Sequence, residues 1–187
     1  MPIFIAATDF MIWRNIILQY KYAGIKYNDV ANAPGISVSV YVQGCEHHCK
    51  GCFNPETWDF NGGKDFQIKD MINIVKGLQE NDIKRNLCIL GGEPLHPKNI
   101  PFTFYIIDHV RDTVPDTPIY IWTGYRVEEL QERAKQEPLL HTILRNIDYL
   151  IDGPFIEEQK DLRLAMRGSA NQRIFHLVKG EPHEQHI

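Results

Sequence analysis

Between residues 37 and 178 the chain alternates short apolar runs with longer amphipathic stretches, and this alternation constrains the fold more than any other feature. The apolar runs are Ser37–Val42, Leu87–Leu90, Ile119–Trp122, Tyr149–Ile151 and Arg173–Val178. They have strand length and are enriched in Val, Ile and Tyr. Between them, residues 65–80, 99–111, 127–136 and 139–145 carry apolar side chains at helical spacing or a charged helical pattern. Strand–helix–strand with short links predicts an α/β fold in a single domain, with a parallel sheet covered by helices, either open or closed part-way into a barrel. In such sheets ligands bind beyond the carboxyl ends of the strands. Four of the strands stop at polar or glycine-rich turns, so the cysteine loop after residue 44, Gly91–Pro94, Thr123–Tyr125 and Asp152–Pro154 are expected around one mouth.

Residues 1–20 are apolar but broken by Asp9 and Arg14, so they are too short and too interrupted to span a bilayer. They also lack a basic start and a clean cleavage site, and a reducing cytoplasmic setting is expected. The division expected is an N-terminal extension over 1–21, a functional domain over 22–179 and a loose polar tail over 180–187. The formal net charge of −4 argues against a protein that grips phosphate backbones, so no direct nucleic-acid partner is expected.

The chemistry is concentrated in Gly44-Cys45-Glu46-His47-His48-Cys49-Lys50-Gly51-Cys52-Phe53. Cys45, Cys49 and Cys52 can wrap three corners of an iron–sulfur cubane, whose usual ligands are thiolates. The remaining cysteine, Cys88, sits mid-strand and reads as a buried core thiol. One iron would then be open to an outside ligand such as the amino and carboxylate groups of a methionine moiety. The competing reading is a zinc-stabilised, non-enzymatic interaction domain using the same cysteines with His47 or His48. A plain electron carrier is disfavoured, because a closed cluster wants a fourth cysteine. Downstream, Gly91-Gly92-Glu93-Pro94 allows a tight turn and close approach of a ligand to the main chain. Glu93 adds a carboxylate that could meet an ammonium group.

The cysteine loop and the Gly-Gly-Glu-Pro turn together resemble the radical S-adenosylmethionine superfamily. Within it the sequence resembles the family of activators of anaerobic ribonucleoside-triphosphate reductase. That resemblance rests on Asn32–Gly35, Cys45–Trp58, Gly91–Pro97, Trp122–Tyr125, Asp152–Phe155 and Arg167–Arg173, running from about Tyr22 to Leu177. Two departures stand out: Ala33 replaces the glycine of the usual Asn-Gly-Pro-Gly, and residues 1–20 look like an addition. The resemblance implies a shortened, incomplete (β/α) barrel of the radical S-adenosylmethionine type. It implies a [4Fe-4S] cluster on Cys45, Cys49 and Cys52, with S-adenosylmethionine as second cofactor. Gly51, Cys52 and Phe53 would lie against the cluster and cofactor, and Gly92 and Glu93 would receive the methionine amino group. Thr123 and Asp152 would meet the ribose or the partner, or else act as caps and turns. Arg167, Asn171 and Arg173 would shape the partner-facing side or anchor the C-terminal segment. The implied activity is formation of a glycyl radical on the large subunit of anaerobic ribonucleotide reductase, with flavodoxin or ferredoxin supplying the electron. Activation of another glycyl radical enzyme is the neighbouring alternative. No side-chain general base is required, because the cofactor carries the hard step.

Overall fold

A computed structural model describes residues 19–186 of the 187-residue chain. The sheet is built outward from four parallel strands: β2 (Ile36–Val42), β4 (Arg85–Gly91), β5 (Ile119–Trp122) and β6 (Tyr149–Asp152). Helical crossovers join them, because parallel neighbours cannot be joined by a tight turn. Helix α1 (Ile68–Leu78) precedes β4, α2 (Ile100–Thr113) links β4 to β5, and α3 (Val127–Ala134) with α4 (Pro138–Asn146) links β5 to β6. Each helix starts where the sequence permits. The Gln67 N–H donates to the Asp70 carboxylate at 2.8 Å, Pro101 sits in the first turn of α2, and Pro138 opens α4.

The remaining strands run the other way. β1 (Lys21–Asp29) pairs antiparallel with β2, since only six residues, 30–35, separate them. The two-residue β3 (Lys64–Asp65) pairs with β1. At the far side β7 (Arg173–Val178) is antiparallel to β6 and to β8 (Glu181–Gln185). The order is β3-β1-β2-β4-β5-β6-β7-β8, an open mixed sheet. The expectation of a parallel sheet therefore holds for three strand pairings and fails for four. The tail expected to be loose instead forms β8. Lys179 and Gly180 both have positive φ, 55° and 92°, the geometry of a two-residue hairpin turn. Residues 1–18 of the segment set apart as an extension lie outside the described residues. Its last two, Tyr20 and Lys21, belong to the fold: Tyr20 stacks on Phe102 at 5.3 Å and Lys21 begins β1.

Alternation along the strands separates two cores. Val38, Val40, Leu87, Ile89, Ile119, Ile121 and Leu150 join apolar residues of α1, α2, α3 and α4 in the main core. The intervening positions, Cys88, Leu90, Tyr120 and Ile151, form a smaller cluster with Ala33 and Ile174. Among the described residues, loop residues such as Ala33 and Met166 cover that face, with a row of aromatic rings in which Tyr120 and Tyr149 stack at 4.5 Å. Cys88 is fully buried here, and burial pushes its thiol up to about 12.

Candidate functional site

The polar stops beyond β2, β4, β5 and β6 converge on one cavity of about 410 Å³. Cys45, Cys49 and Cys52 all line it, as half-buried free thiols. Burial pushes the Cys45 thiol up to about 11 and raises that of Cys49 too, so a metal must displace their protons to bind. The Asn54 N–H donates to Cys52 Sγ at 3.4 Å, the kind of main-chain contact that steadies a thiolate.

The loop carrying these thiols is anchored to the scaffold. The Gly44 N–H donates to Thr57 O at 2.7 Å and the Cys45 N–H to Trp58 O at 3.0 Å. Gln43, nearly inaccessible, donates to the carbonyls of Glu56 and Asp59 at 3.0 and 2.8 Å. Glu46 pairs with His96 and Lys98, each at 3.3 Å, and Lys50 pairs with Glu157 at 2.9 Å. Gly44, with φ 98°, could carry no side chain: a Cβ there would lie 2.1 Å from the Phe60 ring.

The Gly-Gly-Glu turn is pressed against this loop. The Gly92 N–H donates to Val42 O at 2.9 Å and the Glu93 N–H to Gly44 O at 2.8 Å. Buried Asn99 bridges both, donating through Nδ2 to Gly44 O at 3.1 Å and Glu93 O at 2.9 Å. A Cβ on Gly92 would lie 2.6 Å from the Gly44 carbonyl oxygen, so two backbones meet where only glycine fits. The Glu93 side chain, 2% exposed, accepts from Leu95 N–H at 2.9 Å, Thr123 Oγ1 at 2.7 Å and Gly124 N–H at 2.7 Å. His47 Nε2 lies 3.2 Å from Glu93 Oε2, a contact that becomes an ion pair when the ring is protonated. The Glu93 carboxylate raises the His47 pKa against the opposing effect of burial.

Of the residues singled out from sequence, Cys45, Cys49, Cys52, Phe53, Gly92, Glu93 and Thr123 line the cavity. Gly51 does not; its positive φ of 72° turns the chain between two ligands, with Glu157 packed against it. Asp152 requires a correction. It is fully buried, accepts from Arg173 Nε at 3.0 Å and from Val127 N–H at 2.8 Å, and does not reach the cavity. Its carboxylate anchors α3 and β7, which is the capping alternative. Arg173 and Asn171 are anchors as well: Arg173 also grips Glu128, and Asn171 donates to Pro154 O at 2.8 Å. Arg167 lines the cavity. Asp148, which lies away from the cavity, accepts from Arg111 and from Ile119 N–H, both at 2.7 Å. Asn32, Trp122 and Phe155 complete much of the cavity wall without having been assigned a pocket role as side chains.

The donor set fits a cluster. Three thiols share one cavity, and Cys88 is locked in the sheet.

Comparison with known proteins agrees. A family described as "4Fe-4S single cluster domain" matches residues 31–175. An anaerobic ribonucleoside-triphosphate reductase-activating protein from Escherichia coli (strain K12) is 37% identical over 150 residues, covering 80% of this chain and 94% of that protein. The protein of that name from Haemophilus influenzae is 41% identical over 152 residues, covering 81% and 94%. The one from Enterobacteria phage T4 is 31% identical over 152 residues, covering 81% and 91%. The chain belongs to the family of anaerobic ribonucleoside-triphosphate reductase-activating proteins. As a family member it carries a 4Fe-4S domain, and three thiols line its cavity. Among the described residues no helix is long and apolar enough to cross a membrane.

Proposed function

We propose that this chain is a radical S-adenosylmethionine enzyme that activates an anaerobic ribonucleoside-triphosphate reductase by forming a glycyl radical on its large subunit. The observation that carries the reading is one cavity that brings Cys45, Cys49 and Cys52 together with Gly92 and Glu93. In this reading the three thiolates hold a [4Fe-4S] cluster at the mouth beyond β2, β4, β5 and β6. When bound, the cluster supplies one electron to S-adenosylmethionine, whose sulfur–carbon bond then breaks to give methionine and a 5′-deoxyadenosyl radical. The chemistry so supplied would be removal of one hydrogen atom from a glycine Cα of the reductase, with 5′-deoxyadenosine as the other product. Flavodoxin or ferredoxin is the electron source, and the cytoplasm is the setting.

The residues of this chain bind, orient and exclude water. The Gly91–Glu93 turn lets a ligand approach the main chain beside the thiols. Trp122, Phe53 and Phe155 provide apolar walls, and Phe53, half exposed, meets Phe155 edge-on at 5.0 Å. A reactive carbon radical needs such a dry, shaped enclosure. The segment 153–172, with little regular structure, forms one side of the cavity through Phe155, Leu162, Leu164, Met166 and Gly168. Long irregular segments of this kind are usually functional.

The test mixes the reconstituted chain with its cognate anaerobic reductase, S-adenosylmethionine and a reductant, without oxygen. A glycyl radical signal on the reductase, accompanied by reductase activity, is expected. Its absence with a full cluster and an intact reductase would refute the reading.

A further inference from the structure

Protein groups face every acceptor position of the Glu93 carboxylate, three of them as hydrogen-bond donors and His47 Nε2 as the fourth at 3.2 Å. An ionised carboxylate offers about four lone-pair sites. Here Oε1 takes Leu95 N–H and Thr123 Oγ1, while Oε2 takes Gly124 N–H and faces His47 Nε2. From this saturation we infer that Glu93 is a positioning residue whose carboxylate ties three loops into one cavity wall, and that it is not the group that receives the ammonium of the cofactor. The second half of the inference rests on reading the cavity as a S-adenosylmethionine site; the first half does not.

The tie joins the three segments that must stay in register for the site to exist. Through His47 it reaches the cysteine loop, between Cys45 and Cys49. Through Leu95 it closes its own turn, and through Thr123 and Gly124 it holds the loop after β5. His47 is fixed from both sides: its ring meets Tyr125 edge-on at 4.7 Å, and a Cβ on Gly124 would lie 2.5 Å from it. The Thr123 hydroxyl is fixed as well, accepting from Tyr125 N–H at 3.2 Å. The group at the centre must therefore be acceptor-only. A glutamine of the same shape fails in either orientation, because its amide N–H₂ would face the Leu95 N–H or the Gly124 N–H. Ammonium capture alone would make no such demand, since a glutamine carbonyl still accepts.

The experiment uses the anaerobically reconstituted full chain as wild type, Glu93→Gln and Thr123→Val. Three quantities are read: iron loss to a competing chelator, amide hydrogen exchange at residues 45–52, 95 and 124, and the change that S-adenosylmethionine makes in the spectrum of the reduced cluster. Loss of a charge-assisted hydrogen bond corresponds to roughly a tenfold change. Glu93→Gln is expected to accelerate both exchange at these amides and iron loss by roughly that factor or more, with no S-adenosylmethionine present. Thr123→Val, which removes one donor, should shift both in the same direction by less. Iron retention and exchange within roughly twofold of wild type in Glu93→Gln, with only the S-adenosylmethionine response lost, would overturn the inference and make Glu93 a ligand contact. If Glu93→Gln does not fold, Thr123→Val decides: unchanged exchange at Gly124 and in the cysteine loop overturns the tie. A wild-type cluster that ignores S-adenosylmethionine defeats the proposed function, while the exchange and chelator comparison still judges the tie.

Discussion

Replacing Asp152 with alanine separates an interior anchor from a cofactor contact. Its carboxylate is fully buried between the Arg173 guanidinium, at 3.0 Å from Nε and 2.5 Å from Nη2, and the Val127 N–H at 2.8 Å. Truncating one partner of a buried ion pair costs about 3–5 kcal/mol, because the other charge is left without compensation. Arg173 retains Glu128 and is 26% exposed, so the lower end, about 3 kcal/mol, applies. For a chain of this length each kcal/mol moves the melting temperature by about 2–4 °C, so a loss of roughly 6–12 °C is expected. Melting is followed by circular dichroism, and S-adenosylmethionine binding is then measured on the folded variant at low temperature. The account predicts a large melting shift with binding per folded molecule retained. A shift below about 2 °C together with weakened binding would refute it and return Asp152 to the cofactor site.

Other consequences can be checked with single substitutions. Gly92→Ala places a Cβ 2.6 Å from the Gly44 carbonyl, a clash between backbones that costs about 1–3 kcal/mol; it should lower iron content after reconstitution more than it lowers helix content. Cys88→Ala removes a buried thiol from the smaller apolar cluster; iron per chain should be unchanged, with a stability loss of roughly 1 kcal/mol seen in urea unfolding. Burial alone would raise the pKa of Asp29, but hydrogen bonds from Ser39, Ala31 and Asn32 outweigh it and hold the carboxyl below its ordinary value. A depressed folded-state pKa contributes stability above the unfolded value, and that stability is lost as pH falls through the folded one. The stability gap between wild type and Asp29→Asn, followed by thermal melts, should therefore be full near about pH 6 and close toward about pH 3.

The central strands and their helices were legible because each apolar run is buried on both faces and each helix has one apolar side. Val38–Val42, Leu87–Leu90 and Ile119–Ile121 could pair nowhere but inside a sheet. The edges were not legible. β1 contains Gly24 and two breaks in register, β3 is two residues long, and β8 is Glu-Pro-His-Glu-Gln with mostly exposed side chains. Edge strands face water on at least one side, so their composition does not betray them. The hairpin turn at Lys179-Gly180 was the available signal for β8. In the site, the thiols and the Gly-Gly-Glu turn were evident from residue type and spacing. Most partners of Glu93, the bridging Asn99 and the burial of Asp152 were not, since they depend on contacts between residues 6 to 55 positions apart. Sequence places a polar residue at a strand end; only packing decides whether it turns to the cavity or to the interior.

The most direct test of the central claim is anaerobic turnover. The chain is reconstituted with iron and sulfide, reduced and given S-adenosylmethionine, with and without the reductase, and 5′-deoxyadenosine is measured against Cys49→Ala. The account predicts nucleoside formed by the wild type, at least when the reductase is present, and none by the variant. A fully loaded wild-type cluster that yields no 5′-deoxyadenosine even with the reductase, or a Cys49→Ala variant that yields as much, would contradict it.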